Sequence, residues 1–476
     1  MIGLFGTLNL GVRSLQAQRQ GVEVAGHNLA NVNNPAYSRQ RINLQTSLTL
    51  PTPFGPQGTG VDVASIQQMR SAVLDSQIQT EASVRGFLDA KQRALQSGEA
   101  ILGQQIDRQS SGAQGAAATG AGGGQTSIAE GLSAFFNAFQ SLSIDPTSLS
   151  ERQAVTLQGQ NLSSQFREVD RRLGQLQTDL NQTLESDVAS ANDLLTAIAG
   201  YNSEIAKAES GAPGSANDLR DLRQQKVEEL GKLANVQTSE QSDGIFHVSI
   251  SGVTVVSGAT VADTLETYDA GGGQRLVRVQ TAGTPLALTG GSIQGTVEAR
   301  DATLQGLRSG LNELAGLMIT QVNALHRVGF NLTGGTGAVF FSGTTAADID
   351  VNSAVSGDPS ALQVAGASGA VGDNRVALAL AQLANQPQAA LSNQTFSQSY
   401  AQTVAGYGNS VAVVNGQISD QTVVEKMLVR QRDSVSGVSL DEEMTDLIKF
   451  QKAFEASAHL ITTVDEMLDT ILNLTR

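Results

Sequence analysis

Apolar residues recur at intervals of seven near the N-terminus, at Leu8, Leu15, Val22 and Leu29, with Val12 and Ala25 on the same stripe. A seven-residue period lays one side of a helix against a partner, so this segment predicts an amphipathic α-helix. The helix is expected to stop over residues 31–35. There Pro35 disfavours helical backbone at Asn34, and the clustered Asn side chains favour turns. Beyond a Thr-, Pro- and Gly-containing stretch at residues 49–60, helical spacing returns at Ile66, Met69, Val73, Ile78, Leu88 and Leu95. That second helix should end before the Gly and Ala tract of residues 112–124, which has almost nothing to bury and reads as a mobile loop.

The most regular pattern follows at Leu162, Phe166, Val169, Leu173, Leu176, Leu180, Leu184, Val188, Ala191, Leu195, Ile198 and Ile205. Steps of three and four residues, bounded by Pro146 and by Gly211 and Gly214, predict a helix of about 55 residues, roughly 80 Å long. From Val236 the period changes to two. Phe246, Val248 and Ile250 alternate with His247, Ser249 and Ser251, and Gly-rich turns separate further short runs. Residues 236–297 therefore predict a small antiparallel β domain inserted between helices. Such an insertion between helices is expected to be removable with assembly largely intact. Helical spacing resumes from Leu304 to Leu325, a Gly-, Ser- and Asp-rich region with short strands at best covers 328–370, and another helix runs from Phe396 through Met427.

The last segment repeats the heptad of the first. Leu440, Leu447, Phe454, Ile461 and Leu468 are seven apart, with Phe450, Val464 and Ile471 at the intervening position. Ser439 and Glu442 predict a capping box, and Asp441 and Glu443 place negative charge against the helix N-terminus. The fold class read from these patterns is α+β: a long α-helical bundle with terminal coiled-coil helices and an inserted small antiparallel β domain. Residues 1–40 and 437–476 form the terminal coiled-coil domain. Residues 41–235 and 298–436 form a helical middle domain containing the 328–370 loop region, and 236–297 form the outer β domain. Gly11, Gln18 and Gly21 interrupt the N-terminal stripe, so the two terminal helices are expected to order only when neighbouring subunits bury them.

Composition narrows the function. Forty-five acidic against 30 basic residues give a net charge of −15, which repels phosphate backbones and anionic lipid and argues against a nucleic acid partner. Without cysteine there is no disulfide, thiolate metal site or thiol nucleophile. No apolar run approaches the roughly 18 residues of a membrane helix, and residues 1–12 lack the basic start of a cleavable secretion signal, so no membrane insertion is expected. The four histidines, His27, His247, His326 and His459, show no metal-ligand spacing, and P-loop, zincin and nucleophile-elbow strings are missing. Gly334, Gly335 and Gly337 read as a loop turn, and Asp348 and Asp350 bring too few oxygens for an ion site. No catalytic residue, cofactor or metal is expected.

Residues 26–40, GHNLANVNNPAYSRQ, resemble the signature shared by flagellar rod, hook and hook-associated proteins, and residues 436–474 are similar to the terminal helix of the same group. Residues 217–233, NDLRDLRQQKVEELGKL, and 322–335, VNALHRVGFNLTGG, resemble the hook-associated protein 1 family specifically. Ala36 stands where the signature usually has Gly, His459 stands where Arg is common, and the chain looks short for the family. The resemblance implies a non-enzymatic structural adaptor joining hook to filament, secreted to the extracellular flagellum by type III export without a cleaved signal. It implies as partners further copies of the chain in a helical or annular layer, the hook protein, a second junction protein on the filament side, and an export chaperone at the C-terminal region. The subunit-assembly residues it points to are Leu8, Leu15, Val22, Leu29, Leu440, Leu447, Phe450, Phe454, Ile461, Val464, Leu468 and Ile471. A hook or rod subunit is the alternative in the same class. An enzyme or adhesin role of the outer β domain would belong to another class.

Overall fold

The computed structural model describes residues 3–52, 55–102, 127–210, 214–241 and 245–474, and the Gly and Ala tract of 112–124 lies outside them. Helix α1 (Leu4–Ala30) leads into a turn in which Asn34 accepts the Ala36 N–H on its side chain and the Tyr37 N–H on its carbonyl. Ala36 needs no left-handed backbone, so the absence of glycine there costs nothing. Strands β1 (Gln40–Thr46), β2 (Thr49–Thr52), β3 (Gly55–Gly58) and β4 (Val61–Gln68) form an antiparallel ribbon, β1 pairing with β4 and β2 with β3. Ile66 therefore belongs to a strand, and α2 (Ala72–Ile101) begins only after it, capped by the Ser71 side chain on the Leu74 N–H.

Three helices follow: α3 (Ile128–Ile144), α4 (Leu149–Ala208) and α5 (Asn217–Leu233). The periodicity did not single out α3, although Ser127 and Glu130 close a reciprocal capping box at its start. Helix α4, at 60 residues, is longer than its pattern predicts, because Ser148 caps it directly after Pro146. Strands β5 (Val236–Glu240), β6 (Phe246–Ile250), β7 (Val253–Ser257) and β8 (Thr260–Val261) form a four-stranded antiparallel sheet in chain order. Strands β9 (Leu265–Gly271) and β10 (Gln274–Val279) form a separate hairpin. Residues 291–297 are not strand: they lie in α6 (Gly291–Glu298), which runs through a π-helical stretch at Ala299–Leu304 into α7 (Gln305–His326). The 328–370 region contains β11 (Phe341–Ser342), β12 (Asp350–Val351) and α8 (Ser353–Gly357), and α9 (Arg375–Gln382), α10 (Phe396–Ser436) and α11 (Leu440–Leu474) complete the chain.

Helix α4 carries two cores along its length. Its first half buries Val155, Leu162, Phe166 and Leu173 against Phe135 and Phe139 of α3, Leu311 and Met318 of α7, Phe340, Phe341, and Phe396 of α10. The second half buries Leu184, Val188, Leu195 and Ile198 against Val227 and Leu230 of α5 and Val248, Ile250, Val256 and Val277 of the strands. The β insertion is therefore one wall of the second core and not a separable appendage. Its inward-facing alternate residues are covered by α4, α5, Leu288, and Ile293 of α6.

Candidate assembly site at the chain ends

Helices α1 and α11 pair antiparallel within one chain. Asn28 Nδ2 donates to Glu443 Oε2 at 2.9 Å at one end, Ser14 and Ser457 hydroxyls meet at 2.8 Å midway, and Ile461 packs over Gly11. The two glycines that interrupt the α1 stripe face large side chains of α11. A Cβ at Gly21 would lie 2.6 Å from the Phe450 ring, and one at Gly11 would lie 2.9 Å from Ile461. What reads in sequence as a gap is a socket filled by a large side chain.

The residues expected at the seam differ in exposure within the chain. Leu8, Leu15, Val22 and Leu29 of α1 and Leu447, Phe450, Phe454, Ile461 and Leu468 of α11 are half-buried, and Val464 is buried. Leu440 and Ile471, by contrast, are 51% and 47% exposed. The register fixed by Asn28 against Glu443 carries α11 beyond α1 at both ends, since α11 has 35 residues and α1 only 27. The intervening heptad position, extended backwards from Val464 and Phe450, reaches Ser457 and Glu443, and these polar residues are among the buried ones of α11. Polar residues at seam positions fix register, and that spacing was readable in the sequence.

Glu443, 3% exposed, anchors a polar cluster that joins three of the motifs. Arg39 Nε donates to its Oε1 at 2.7 Å, and Arg39 NH1 donates to Glu442 at 2.6 Å. Glu442 thus serves Arg39 as well as standing at the helix start. The backbone N–H of Arg39 donates to Ser436 O, tying the end of α10 to the same point. Asn28 donates to the Gln40 carbonyl and accepts the Gln40 N–H and the Tyr37 hydroxyl. Asp221 of α5 accepts the Ser38 N–H at 3.0 Å and pairs with Arg70, which also holds Asp75. Gln40 donates to Asp218.

Burial pulls the Arg39 guanidinium down, but Glu443 and Glu442 outweigh it and hold it above its ordinary value. Burial pushes the Asp221 carboxyl up against the opposing Ser38 N–H and Arg70. Burial first, then Asp218, Asp221 and Glu443, raises the Tyr37 phenol well above its usual range. Each buried charge is paired, as low dielectric demands, so the cluster is suited to positioning elements rather than to proton transfer. Among the described residues no group of three His, Asp or Glu is placed to hold a metal ion, and no helix is long and apolar enough to cross a membrane.

Outside the seam, α11 exposes two apolar patches. Leu440, Met444 and Ile448 lie at its start, and Met467, Ile471, Leu472 and Leu474 lie near its end.

A family model described as the flagellar hook-associated protein FlgK helical domain matches residues 120–341, and one described as the flagellar basal body rod FlgEFG protein C-terminal matches residues 430–474. The chain is 27% identical to flagellar hook-associated protein 1 of Bacillus subtilis (strain 168) over 523 aligned positions, covering 99% of each chain. It is 23% identical to that of Salmonella typhimurium over 570 positions, covering 98% of this chain and 99% of the other. Both alignments exceed the 476 residues here, so those relatives carry residues with no counterpart in this chain. A solved structure, the flagellar hook junction protein FlgK from Burkholderia pseudomallei, superposes with a TM-score of 0.64 at 17% identity, over 76% of this chain and 100% of that one, and speaks for the fold. With its helical domain matched by one model, its last helix by another and full-length relatives aligned from end to end, the chain belongs to the flagellar hook-associated protein 1 family, structural components of the bacterial flagellum.

Proposed function

We propose that this chain is the structural adaptor between hook and filament, and that it assembles with copies of itself through the terminal helix pair. The observation that carries this reading is the division of labour on α11: one side closes on α1, while large apolar side chains remain uncovered at both of its ends. An exposed apolar patch is stable in water only where something covers it, and patches at opposite ends of one helix fit neighbours on two sides. Seam residues Leu8, Leu15, Val22, Leu29, Leu447, Phe450, Phe454, Ile461, Val464 and Leu468 then build the pair, and Leu440 and Ile471 join the surfaces offered to neighbouring subunits.

Such a layer would meet the hook protein below and a second junction protein above, after type III export with a chaperone held at the C-terminal region. The role is mechanical: every polar cluster found serves to position elements, which supports a non-enzymatic subunit. A strain lacking the chain, complemented with Met444→Asp/Ile448→Asp, tests the reading by electron microscopy. Hooks without filaments are expected, with filament protein released into the medium. Normal filaments on that strain would remove α11 from the assembly mechanism.

A further inference from the structure

Helices α1 and α11 form a terminal rod, and the two cores along α4 form the body. Where they meet, α5 ties itself to the turn and the ribbon: Asp221 accepts the Ser38 N–H, Asp218 Oδ1 accepts Gln40 Nε2 at 2.8 Å, and Asn217 Nδ2 donates to the Ile66 carbonyl at 2.9 Å. His27 is different, because it carries α1 itself to α5, with Nε2 3.6 Å from Asp218 Oδ2. The hydrogen bonds around it fix which ring nitrogen holds the proton. Asn28 accepts the Gln40 N–H on Oδ1 at 2.9 Å and donates from Nδ2 to the Gln40 carbonyl and to Glu443, so a flipped amide would set donor against donor. Tyr37, 2.7 Å from the same Oδ1, must then direct its one proton there. Burial, with Asp218, Asp221 and Glu443, keeps that proton on the phenol. The phenol oxygen has only lone pairs left for His27 Nδ1 at 3.1 Å, so Nδ1 must donate. In the neutral ring Nε2 is therefore bare, and its neighbour is a carboxylate.

We infer that His27 and Asp218 form an acid-closed tie between rod and body: a proton gained at Nε2 turns a lone pair beside a carboxylate into an ion pair. Histidine is the side chain that ordinarily changes charge between pH 5 and 8, so the tie closes on mild acidification and loosens in alkali. The other charges of the joint already have partners. On α1, Glu23 lies one turn before His27 and pairs with Arg19. On α5, Arg220 is held by Glu209 and Glu240, and Asp221 by Arg70, which also takes Asp75. From α11, Glu442 and Glu443 hold Arg39, and Arg41 of β1 lines the cleft toward Asp441 and Asp446. The His27 and Asp218 side chains are 42% and 62% exposed, so water screens the pair and its effect is modest. The tie thus sets how firmly the rod is held against the body, and it does not rest on the assembly reading.

The chain has four histidines, so in the full chain labelled with ¹⁵N at histidine the His27 signal is identified by its loss in His27→Gln. Ring-nitrogen spectra in mild alkali should show neutral His27 with its proton on Nδ1, and Tyr37→Phe should return it to the Nε2–H form that free histidine prefers. An Nε2–H ring in the wild type overturns the inference. The second measurement is hydrogen exchange over residues 4–30 at pH 6 and pH 8, corrected for the intrinsic pH dependence of exchange. Protection of α1 should be about two- to fivefold greater at pH 6 in the wild type. Asp218→Asn keeps the shape and the Gln40 acceptor while removing the charge, and it should abolish that gain, as should His27→Gln. A wild type without the gain, or a gain that survives in Asp218→Asn, overturns the tie.

Discussion

Helices α4 and α11 are both long and both periodic, yet they use their apolar residues in opposite ways. Along α4 nearly every inward turn ends in a fully covered Val, Leu, Ile or Phe, first against the Phe-rich core and then against the strands. Along α11 only Glu443, Ser457 and Val464 are buried, and Leu440, Met444, Ile448, Met467 and Leu474 face outward. Hydrophobic stabilisation scales with the area taken from water, so α4 gains nearly all of its share within one chain. Helix α11 leaves much of its share unrealised within one chain. Periodicity identifies a helix, but it does not say whether the partner is in the same chain.

The strongest way to break this contrast is to remove the β wall. Replacing residues 236–279 by a short Gly and Ser bridge should uncover Leu184, Val188, Leu195 and Ile198 together, and limited proteolysis should then cut the second half of α4. A protease-resistant α4 in that deletion would mean that the second core is dispensable. Single truncations come next. Phe166→Ala should cost about 3–5 kcal/mol in global stability by denaturant melt, since Phe166 is fully buried. Phe450→Ala, half-buried on the rod, should leave the global midpoint nearly unchanged.

Acid provides a third lever, one that acts on the body. His326 of α7 is fully buried, donates from Nδ1 to the Ala338 carbonyl at 2.8 Å and accepts the Gln363 N–H at Nε2 at 3.0 Å. Burial pulls its pKa down from 6.5 to about 4. Between those values the unfolded chain binds the extra proton, so the stability from neutral His326 is complete above about pH 6.5 and is lost as pH falls toward 4. The loss at pH 5 is on the order of 2 kcal/mol. Melts at pH 7 and pH 5 should show it in the wild type, and His326→Gln should flatten the difference.

The smallest effect is expected in the rod. Gly21→Ala forces a methyl against the Phe450 ring at a cost of about 1–3 kcal/mol, partly offset by about 1 kcal/mol of helix propensity. Hydrogen exchange should show faster opening of α1 and α11, with α4 unaffected. Slowed exchange would mean that the socket has room to spare.

Much of this was legible because the signals were local. The α4 pattern, the period-two run at Phe246 to Ser251 and the heptads of both ends each correspond to a regular element. What escaped had short or unbalanced signals: α3, whose Phe135, Phe136 and Phe139 crowd one side without long periodicity, and the β1–β4 ribbon, whose Ile42, Leu44, Val63 and Ile66 are only partly covered. The Arg39 cluster could not be read either, since Asn28 and Arg39 lie in one stretch, Asp221 in a second and Glu443 in a third, far apart in a chain where nothing in the sequence connects them. Glu443 gave the one advance sign, an acid at a seam position.

The sequence by itself determined where most of the long helices run, that the middle helices bury themselves, and that both ends carry a heptad seam, because helix periodicity, caps and breakers act over a few residues. Only the tertiary structure decided that Gly11 and Gly21 are sockets, that the β insertion walls a core, and which parts of α11 stay uncovered. Those outcomes depend on register between segments up to 443 positions apart. Register is set by how side chains interdigitate and which buried charges find partners, a property of assembled surfaces that no single segment contains.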